Sequence, residues 1–122
     1  MTRAGEVLVP WGVDAGDFPA SAADAARLGF LVRYAVLAPS GHNTQPWSFR
    51  VGGDRLEVLA DRPRGLPVVD PDDRELTVSC GAALGMIEHA ARGLGVGVLL
   101  RSGCGRPPAR EPRRAVADVM VP

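Results

Sequence analysis

A short stretch with a proline near each end, residues 38–47, most constrains how this chain can fold. It reads Ala-Pro-Ser-Gly-His-Asn-Thr-Gln-Pro-Trp and holds the only Asn and the only Gln of the chain. The residue before a proline is pushed out of the helical region, so Pro39 must end any helix that precedes it. Its polar residues are suited either to binding a ligand or to bonding their own backbone in a well-made connection.

A helix is predicted before this loop and a hairpin after it. Apolar residues at helical spacing predict a helix over residues 22–37. Beyond the loop, alternating apolar residues predict one strand from Trp47 to Val51 and a second from Arg55 to Asp61. The Gly-Gly-Asp sequence between them is typical of a tight turn. The loop therefore connects a helix to a β-hairpin.

A second helix is predicted to begin at Asp70, an acid suited to capping the first free amides. Two glycines in its middle, Gly81 and Gly85, indicate a close neighbour, for which another helix is favoured over a partner subunit or a flat cofactor. A short buried strand is predicted after it, over residues 96–100. The helix carries one continuous apolar seam at steps of three and four: Leu76, Cys80, Ala83, Ile87, Ala90 and Leu94.

The order of helix, hairpin, helix and strand predicts an α+β fold, with two main helices packed on a small sheet that contains the hairpin. Residues 21–101 are predicted to form this domain. Residues 1–20 mix Pro, Gly and Asp with isolated apolar residues, which predicts an irregular arm. Residues 102–122 are dense in Pro and Arg and have no usable hydrophobic period until their last few positions, which predicts a disordered or non-native tail.

Composition argues against several classes of function. The 14 basic and 14 acidic residues give a net charge of zero, which offers no electrostatic basis for binding nucleic acid or an acidic membrane. All the basic residues are Arg, so Schiff-base and P-loop lysine chemistry are excluded. No apolar run is long enough to cross a membrane and no signal-peptide pattern is present, so we expect a cytoplasmic protein.

No side chain is predicted to act as a catalytic acid, base or nucleophile, or to bind a metal. Neither His42 nor His89 has a second His or a Cys at the spacing of metal ligands. A Ser40–His42 pair lacks an orienting acid and the sharp turn that presents a nucleophile. Cys80 lies on the apolar seam and is expected to be a buried packing residue.

This chain resembles the FMN-dependent nitroreductase family. The resemblance to the first family signature covers the helix, the loop of residues 38–47 and the Trp-Ser-Phe strand. Residues 70–84, Asp-Pro-Asp-Asp-Arg-Glu-Leu-Thr-Val-Ser-Cys-Gly-Ala-Ala-Leu, extend the resemblance to the Acg-like group of that family. The resemblance covers residues 22–101. It implies an oxidoreductase that passes reducing equivalents from NAD(P)H through FMN to a nitroaromatic or quinone acceptor.

The resemblance also implies a cofactor site on the loop. In such enzymes the flavin carries the hydride chemistry, and the protein binds and orients it. His42 suits the Acg-like group but has no assigned role. Four positions match the family's FMN-contacting signature: Pro39, Ser40, Gly41 and Asn43. Gln45 matches the end of that signature and is included in the cofactor site, where it is expected to brace the loop.

The resemblance stops near Arg101, whereas family members are much longer and their second half supplies the rest of the pocket. A frameshift or premature stop would produce such a chain, so we expect a truncated domain with an exposed seam on its second helix, which favours dimerisation or aggregation. Three functions stay open: an oxidoreductase completed by a homodimer or a complementary chain, a flavin-binding protein without turnover, and an inactive fragment.

Overall fold

The computed structural model describes residues 12–102 and 113–121, in which two helices pack on a four-stranded antiparallel sheet. Residues 1–11, part of the predicted arm, lie outside the described residues. Short 3-10 turns form at Ala15–Asp17, before the first helix, and in two of the connections, at Gly41–Asn43 and Arg62–Arg64. The predicted α+β architecture is confirmed. The elements are α1 (Asp24–Ala35), β1 (Trp47–Gly52), β2 (Arg55–Asp61), α2 (Arg74–Gly93), β3 (Leu99–Ser102) and β4 (Arg113–Met120).

Helix α1 and the hairpin agree with the sequence prediction. Leu28, Leu31 and Ala35 are fully buried along one face of α1, at the spacing that makes a helix amphipathic. Strands β1 and β2 pair in antiparallel register along their length. Gly53 has a φ of 57°, the left-handed conformation that a two-residue hairpin turn requires. Local pattern and turn chemistry therefore account for this half of the fold.

Helix α2 begins at Arg74, later than the predicted start at Asp70. Its N-cap residue is Asp73, which has a φ of 55°. The prediction placed the boundary wrongly because residues 70–73 form turns before the helix starts. Asp70 still serves the helix, since its carboxylate accepts a hydrogen bond from the Leu76 amide at 3.0 Å and so satisfies one of the first free amides.

The apolar seam of α2 is covered by the chain itself. Cys80, Ala83 and Ile87 are fully buried and belong to one core cluster with residues of α1 and of strands β1, β2 and β4. The exposed seam expected for a truncated domain is therefore wrong. The helix that packs against this seam is α1. The close neighbour predicted at Gly81 and Gly85 is wrong, because no described atom lies within 4 Å of where a Cβ would be at either glycine.

Strand β4 is the largest difference from the sequence prediction. Residues 113–120 form a strand that lies between β2 and β3 in the order β1-β2-β4-β3, so the predicted disorder is wrong for them. Val119 is fully buried opposite Leu56. The backbone of β2 needs partners on both of its edges, and β4 supplies the second one from far along the chain. Residues 103–112 of the predicted tail lie outside the described residues.

Strand β3 is an edge strand rather than the buried strand predicted over residues 96–100. It starts at Leu99, which is 54% exposed, and it pairs with β4. Val96 is buried but precedes the strand. The apolar run is therefore divided between a core residue in the connection and a partly exposed sheet edge.

Candidate functional site

The loop that joins α1 to β1 has a strained backbone. His42, Asn43 and Gln45 have φ values of 50°, 53° and 49°, in the left-handed region that residues other than glycine rarely adopt. Each such residue costs on the order of 1 kcal/mol, although Asn tolerates this conformation better than most. Contacts within the loop and with the rest of the chain must offset this cost.

Hydrogen bonds inside the loop bring several of the predicted site residues together. Ser40 Oγ accepts a hydrogen bond from the Gln45 backbone amide at 3.0 Å. Gln45 Nε2 donates to Asn43 Oδ1 at 3.3 Å, and Thr44 Oγ1 donates to the Gly41 carbonyl at 3.0 Å. This geometry holds Ser40, Asn43 and Gln45 in fixed relative positions.

Pro46 anchors the C-terminal end of the loop in the core. Its side chain is fully buried, and its carbonyl accepts from the Asp61 amide at 2.9 Å and from Cys80 Sγ at 3.5 Å. Burial raises the pKa of the Cys80 thiol to about 11, so the thiol stays protonated and can donate this bond at neutral pH. The prediction that Cys80 is a buried packing residue is confirmed.

The N-terminal end of the loop rests on the first turns of α2. The Gly41 amide donates to Ser79 Oγ at 3.3 Å, and Ser79 is only 4% exposed. One helical turn earlier, the Glu75 side chain lies against the same glycine: a Cβ on Gly41 would be 2.7 Å from Glu75 Oε2. The absence of a side chain at Gly41 therefore permits this close approach between loop and helix.

Asp70 sets the electrostatics at the start of α2. Burial acts to raise the pKa of its carboxyl, but hydrogen bonds from the backbone amides of residues 74–76 and the charge of Arg74 outweigh burial, and the pKa lies below its usual value. Asp70 is therefore ionised at neutral pH, and its negative charge complements the positive end of the helix dipole.

A groove of about 380 Å³ lies between the loop and α2. This volume falls in the range of small-molecule sites. Val78 presents an apolar side chain that is 71% exposed, and the charged residues Arg74 and Glu75 lie on the same stretch of helix. The lining residues are Pro39, Ser40 and Gly41 from the loop and Arg74, Glu75, Val78, Ser79 and Ala82 from α2.

Pro39, Ser40 and Gly41 are the predicted site residues that line the groove. Asn43 and Gln45 are exposed on the same loop and are not among its lining residues. The α2 wall was not predicted. Lining residues on α2 recur at steps of three and four, which places them on one face of the helix. That spacing could have identified the face, but it does not reveal that the loop lies across it.

The lining of the groove offers polar, charged and apolar contacts to a ligand. Within residues 12–102 and 113–121, no group of three His, Cys, Asp or Glu side chains could hold a metal ion. In the same part of the chain, no helix has both the length and the apolar character needed to cross a membrane. The groove combines small and apolar residues with the Ser40 hydroxyl, the loop backbone and the charged side chains of Arg74 and Glu75.

The fold places the chain in a structural class of known proteins. A solved structure from Bacteroides thetaiotaomicron VPI-5482, named as a candidate NADH dehydrogenase/NAD(P)H nitroreductase, superposes with a TM-score of 0.61 over 76% of this chain and 70% of its own. The sequence identity is 18%, so this likeness shows the fold alone. The chain has a nitroreductase-like α+β fold. Its two helices and four-stranded sheet correspond to part of the complete nitroreductase fold.

Three relatives found by sequence similarity are also named NAD(P)H nitroreductases. A Mycobacterium tuberculosis H37Rv protein, named as a candidate NAD(P)H nitroreductase, is 48% identical over 61 residues, which are 50% of this chain and 18% of that protein. The protein named Acg from the same strain, likewise a candidate NAD(P)H nitroreductase, is 38% identical over 43% of this chain and 16% of its own. PigM of Serratia sp. ATCC 39006, named a probable NAD(P)H nitroreductase, is 42% identical over 41% of this chain and 14% of its own.

The predicted resemblance to the nitroreductase family, with Acg among the relatives, is confirmed over the part of the chain that these proteins match. The chain spans between 14% and 18% of the length of these curated relatives. This coverage fits a resemblance to one portion of a full-length family member. No protein-family profile matches the chain.

Proposed function

We propose that this chain belongs to an FMN-dependent oxidoreductase of nitroreductase type, and that the groove between the loop and α2 forms one wall of the flavin site. One observation carries the proposal: the two signature segments, residues 38–47 and 70–84, face each other across the groove and are joined by the Gly41–Ser79 hydrogen bond. The names of the relatives support NAD(P)H as the electron donor.

The residues present fit a flavin ring, which is flat and apolar on its faces and polar along its edge. Val78 and Ala82 offer apolar contact along the groove, and the Ser40 hydroxyl offers a donor and an acceptor beside it. Gly41 also lines the groove, and the space beside its α-carbon is taken by the Glu75 side chain. When bound, FMN would supply hydride transfer between NAD(P)H and a nitroaromatic or quinone acceptor, and the protein would bind and orient the ring.

Each loop residue has a proposed role in binding. Ser40 would hydrogen-bond the polar edge of the flavin from within the groove. For Asn43, which does not line the groove, the same role rests on the family resemblance, and Gln45 would brace it through their 3.3 Å hydrogen bond. Pro39 would keep the loop directed away from α1, because it cannot continue the helix. No protein acid, base or nucleophile is needed in this mechanism, since the flavin carries the chemistry.

The groove provides one wall, and we infer that a second chain supplies the other. Val78 lines the groove with an apolar side chain that is 71% exposed. A covering surface would bury this side chain. A second copy in a homodimer, or a complementary chain, would provide that surface. The proposal places the protein in the cytoplasm, where NAD(P)H is available.

A flavin-binding protein without turnover is the second candidate. An open groove binds a ligand but does not exclude water from it, and exclusion of water is part of how active sites favour transfer to the intended acceptor. The two candidates therefore differ in turnover and not in binding.

Titration of the purified chain with FMN, followed by flavin fluorescence, tests the proposal, and consumption of NADPH with menadione or a nitrofuran then tests turnover. Asn43→Asp is the informative variant, because Asp keeps the oxygen that accepts from Gln45 and tolerates the left-handed backbone, but loses the amide donor and gains a charge. Asp54→Asn is the matched control, since it changes one charge on the exposed hairpin turn.

We expect Asn43→Asp to weaken FMN binding about tenfold, as for loss of a hydrogen bond combined with an unfavourable charge. Asp54→Asn should bind like the wild type. A wild-type chain that does not bind FMN refutes the flavin role. Binding without NADPH consumption selects the second candidate, and equal affinities for Asn43→Asp and the wild type remove Asn43 from the site.

A further inference from the structure

We infer that Ser79 of α2 is a positioning residue, whose buried hydroxyl holds the strained loop in the conformation that lines the groove. The inference rests on the proposed function, because the loop matters for binding only if the groove takes the flavin. Ser79 is not among the residues that the sequence predicts for the site.

The loop needs an external anchor near Gly41. Its three left-handed residues, His42, Asn43 and Gln45, lie just after this glycine, and the bonds that Ser40 and Thr44 make stay within the loop. Pro46 fixes only the far end, next to β1. The bond from the Gly41 amide to Ser79 Oγ, which spans 38 positions of sequence, ties the near end to α2.

A hydroxyl at position 79 is explained by the loop rather than by the helix. Ser79 is 4% exposed, and a buried hydroxyl requires a hydrogen-bond partner, which here is the Gly41 amide. Alanine would fit the same space and is the better helix former. The helix alone therefore favours Ala at this position, whereas the loop favours Ser.

Glu75 restrains the same glycine from a second direction. It lies one turn before Ser79 on the same face of α2, with Oε2 placed 2.7 Å from where a Cβ of Gly41 would be. The hydroxyl binds the amide and the carboxylate limits the space around the α-carbon. Together they define where the loop can lie on the helix.

The test is amide hydrogen exchange on the 122-residue chain without flavin, measured by NMR. In Ser79→Ala we expect the Gly41 amide to exchange about fivefold faster, the change expected for loss of one ordinary hydrogen bond. Core amides such as that of Ile87 should keep their protection, which shows that the variant is folded. Ser79→Thr keeps the hydroxyl and should restore slow exchange at Gly41.

Thr77→Ala is the control for loss of a hydroxyl on the same helix. Thr77 is exposed and bonds the Asp73 carbonyl at 2.8 Å, not the loop. It should leave Gly41 exchange unchanged. If Ser79→Ala also leaves it unchanged, or accelerates core amides to the same extent as Gly41, the positioning role is overturned.

FMN titration of the same variants separates this inference from the proposed function. We expect Ser79→Ala to raise the dissociation constant for FMN about fivefold, in proportion to the loosened loop, and Thr77→Ala to leave it unchanged. Faster Gly41 exchange with unchanged affinity overturns the role of Ser79 in binding. If the wild type binds no FMN, the proposed function fails, and the exchange result still decides whether Ser79 holds the loop.

Discussion

Val119→Ala tests the part of the fold that local sequence pattern did not reveal. Val119 is fully buried in β4, opposite Leu56 of the central strand β2 and Leu100 of β3. If residues 113–120 were a disordered tail, this substitution would have almost no effect on stability. In the sheet it removes two methyl groups from the core.

The expected loss follows from burial. Two methyl groups at about 0.8 kcal/mol each give about 1.6 kcal/mol of transfer free energy. Incomplete collapse of the cavity adds to this, so we expect the free energy of unfolding to fall by about 2–3 kcal/mol. For a urea dependence of about 2 kcal/mol per M, the midpoint of unfolding falls by about 1–1.5 M.

Urea unfolding followed by far-UV circular dichroism and by the fluorescence of the buried Trp47 measures this change. Val68→Ala is the matched control, because it makes the same chemical change at a side chain that is 91% exposed. We expect the control to shift the free energy of unfolding by less than about 0.5 kcal/mol. Equal small shifts for the two variants would refute the placement of β4 in the sheet.

Two further predictions concern titratable groups in the folded chain. The pKa of Asp70 lies below its usual value of 3.8, so its carboxylate stabilises the fold above about pH 4 and this contribution is lost as the pH falls through the lowered pKa. Acid unfolding should therefore be steeper below pH 4 for the wild type than for Asp70→Asn; identical acid profiles would contradict the capping role. Burial raises the pKa of the Cys80 thiol to about 11, so in a Cys104→Ser background it should react with an aromatic disulfide at pH 8 at least about tenfold more slowly than a free thiol, because the smaller thiolate fraction is offset only in part by the greater nucleophilicity of that thiolate. In concentrated urea the reaction should become fast, and fast reaction of the native protein would show that Cys80 is accessible.

Sequence reasoning succeeded where the determinants are local. The spacing of Leu28, Leu31 and Ala35 predicts α1, and the alternation around Gly53 predicts the hairpin, because helix and strand periods are visible within a few residues. The start of α2 was placed too early because Asp70 has the chemistry of a cap but acts from the turn before the helix. Capping residues therefore indicate that a helix is near more reliably than they indicate its first residue.

The site was predicted in part for the same reason. Pro39, Ser40 and Gly41 stand together on one loop of distinctive composition, so the sequence alone indicates them. The α2 wall of the groove depends on which face of the helix the loop crosses, and that is decided by Gly41 packing against Glu75 and Ser79. Those contacts are far apart in sequence and have no local signature.

The sequence by itself determined the helices, the hairpin and the loop between its two prolines, and it indicated the family. Only the tertiary structure decided that residues 113–120 complete the sheet, that the seam of α2 is buried beneath α1, and that Ser79 faces the loop. The physical reason is the same in each case. Backbone period and turn chemistry act over a few residues, whereas strand pairing and core packing choose partners across the whole chain, according to which apolar faces can be buried together.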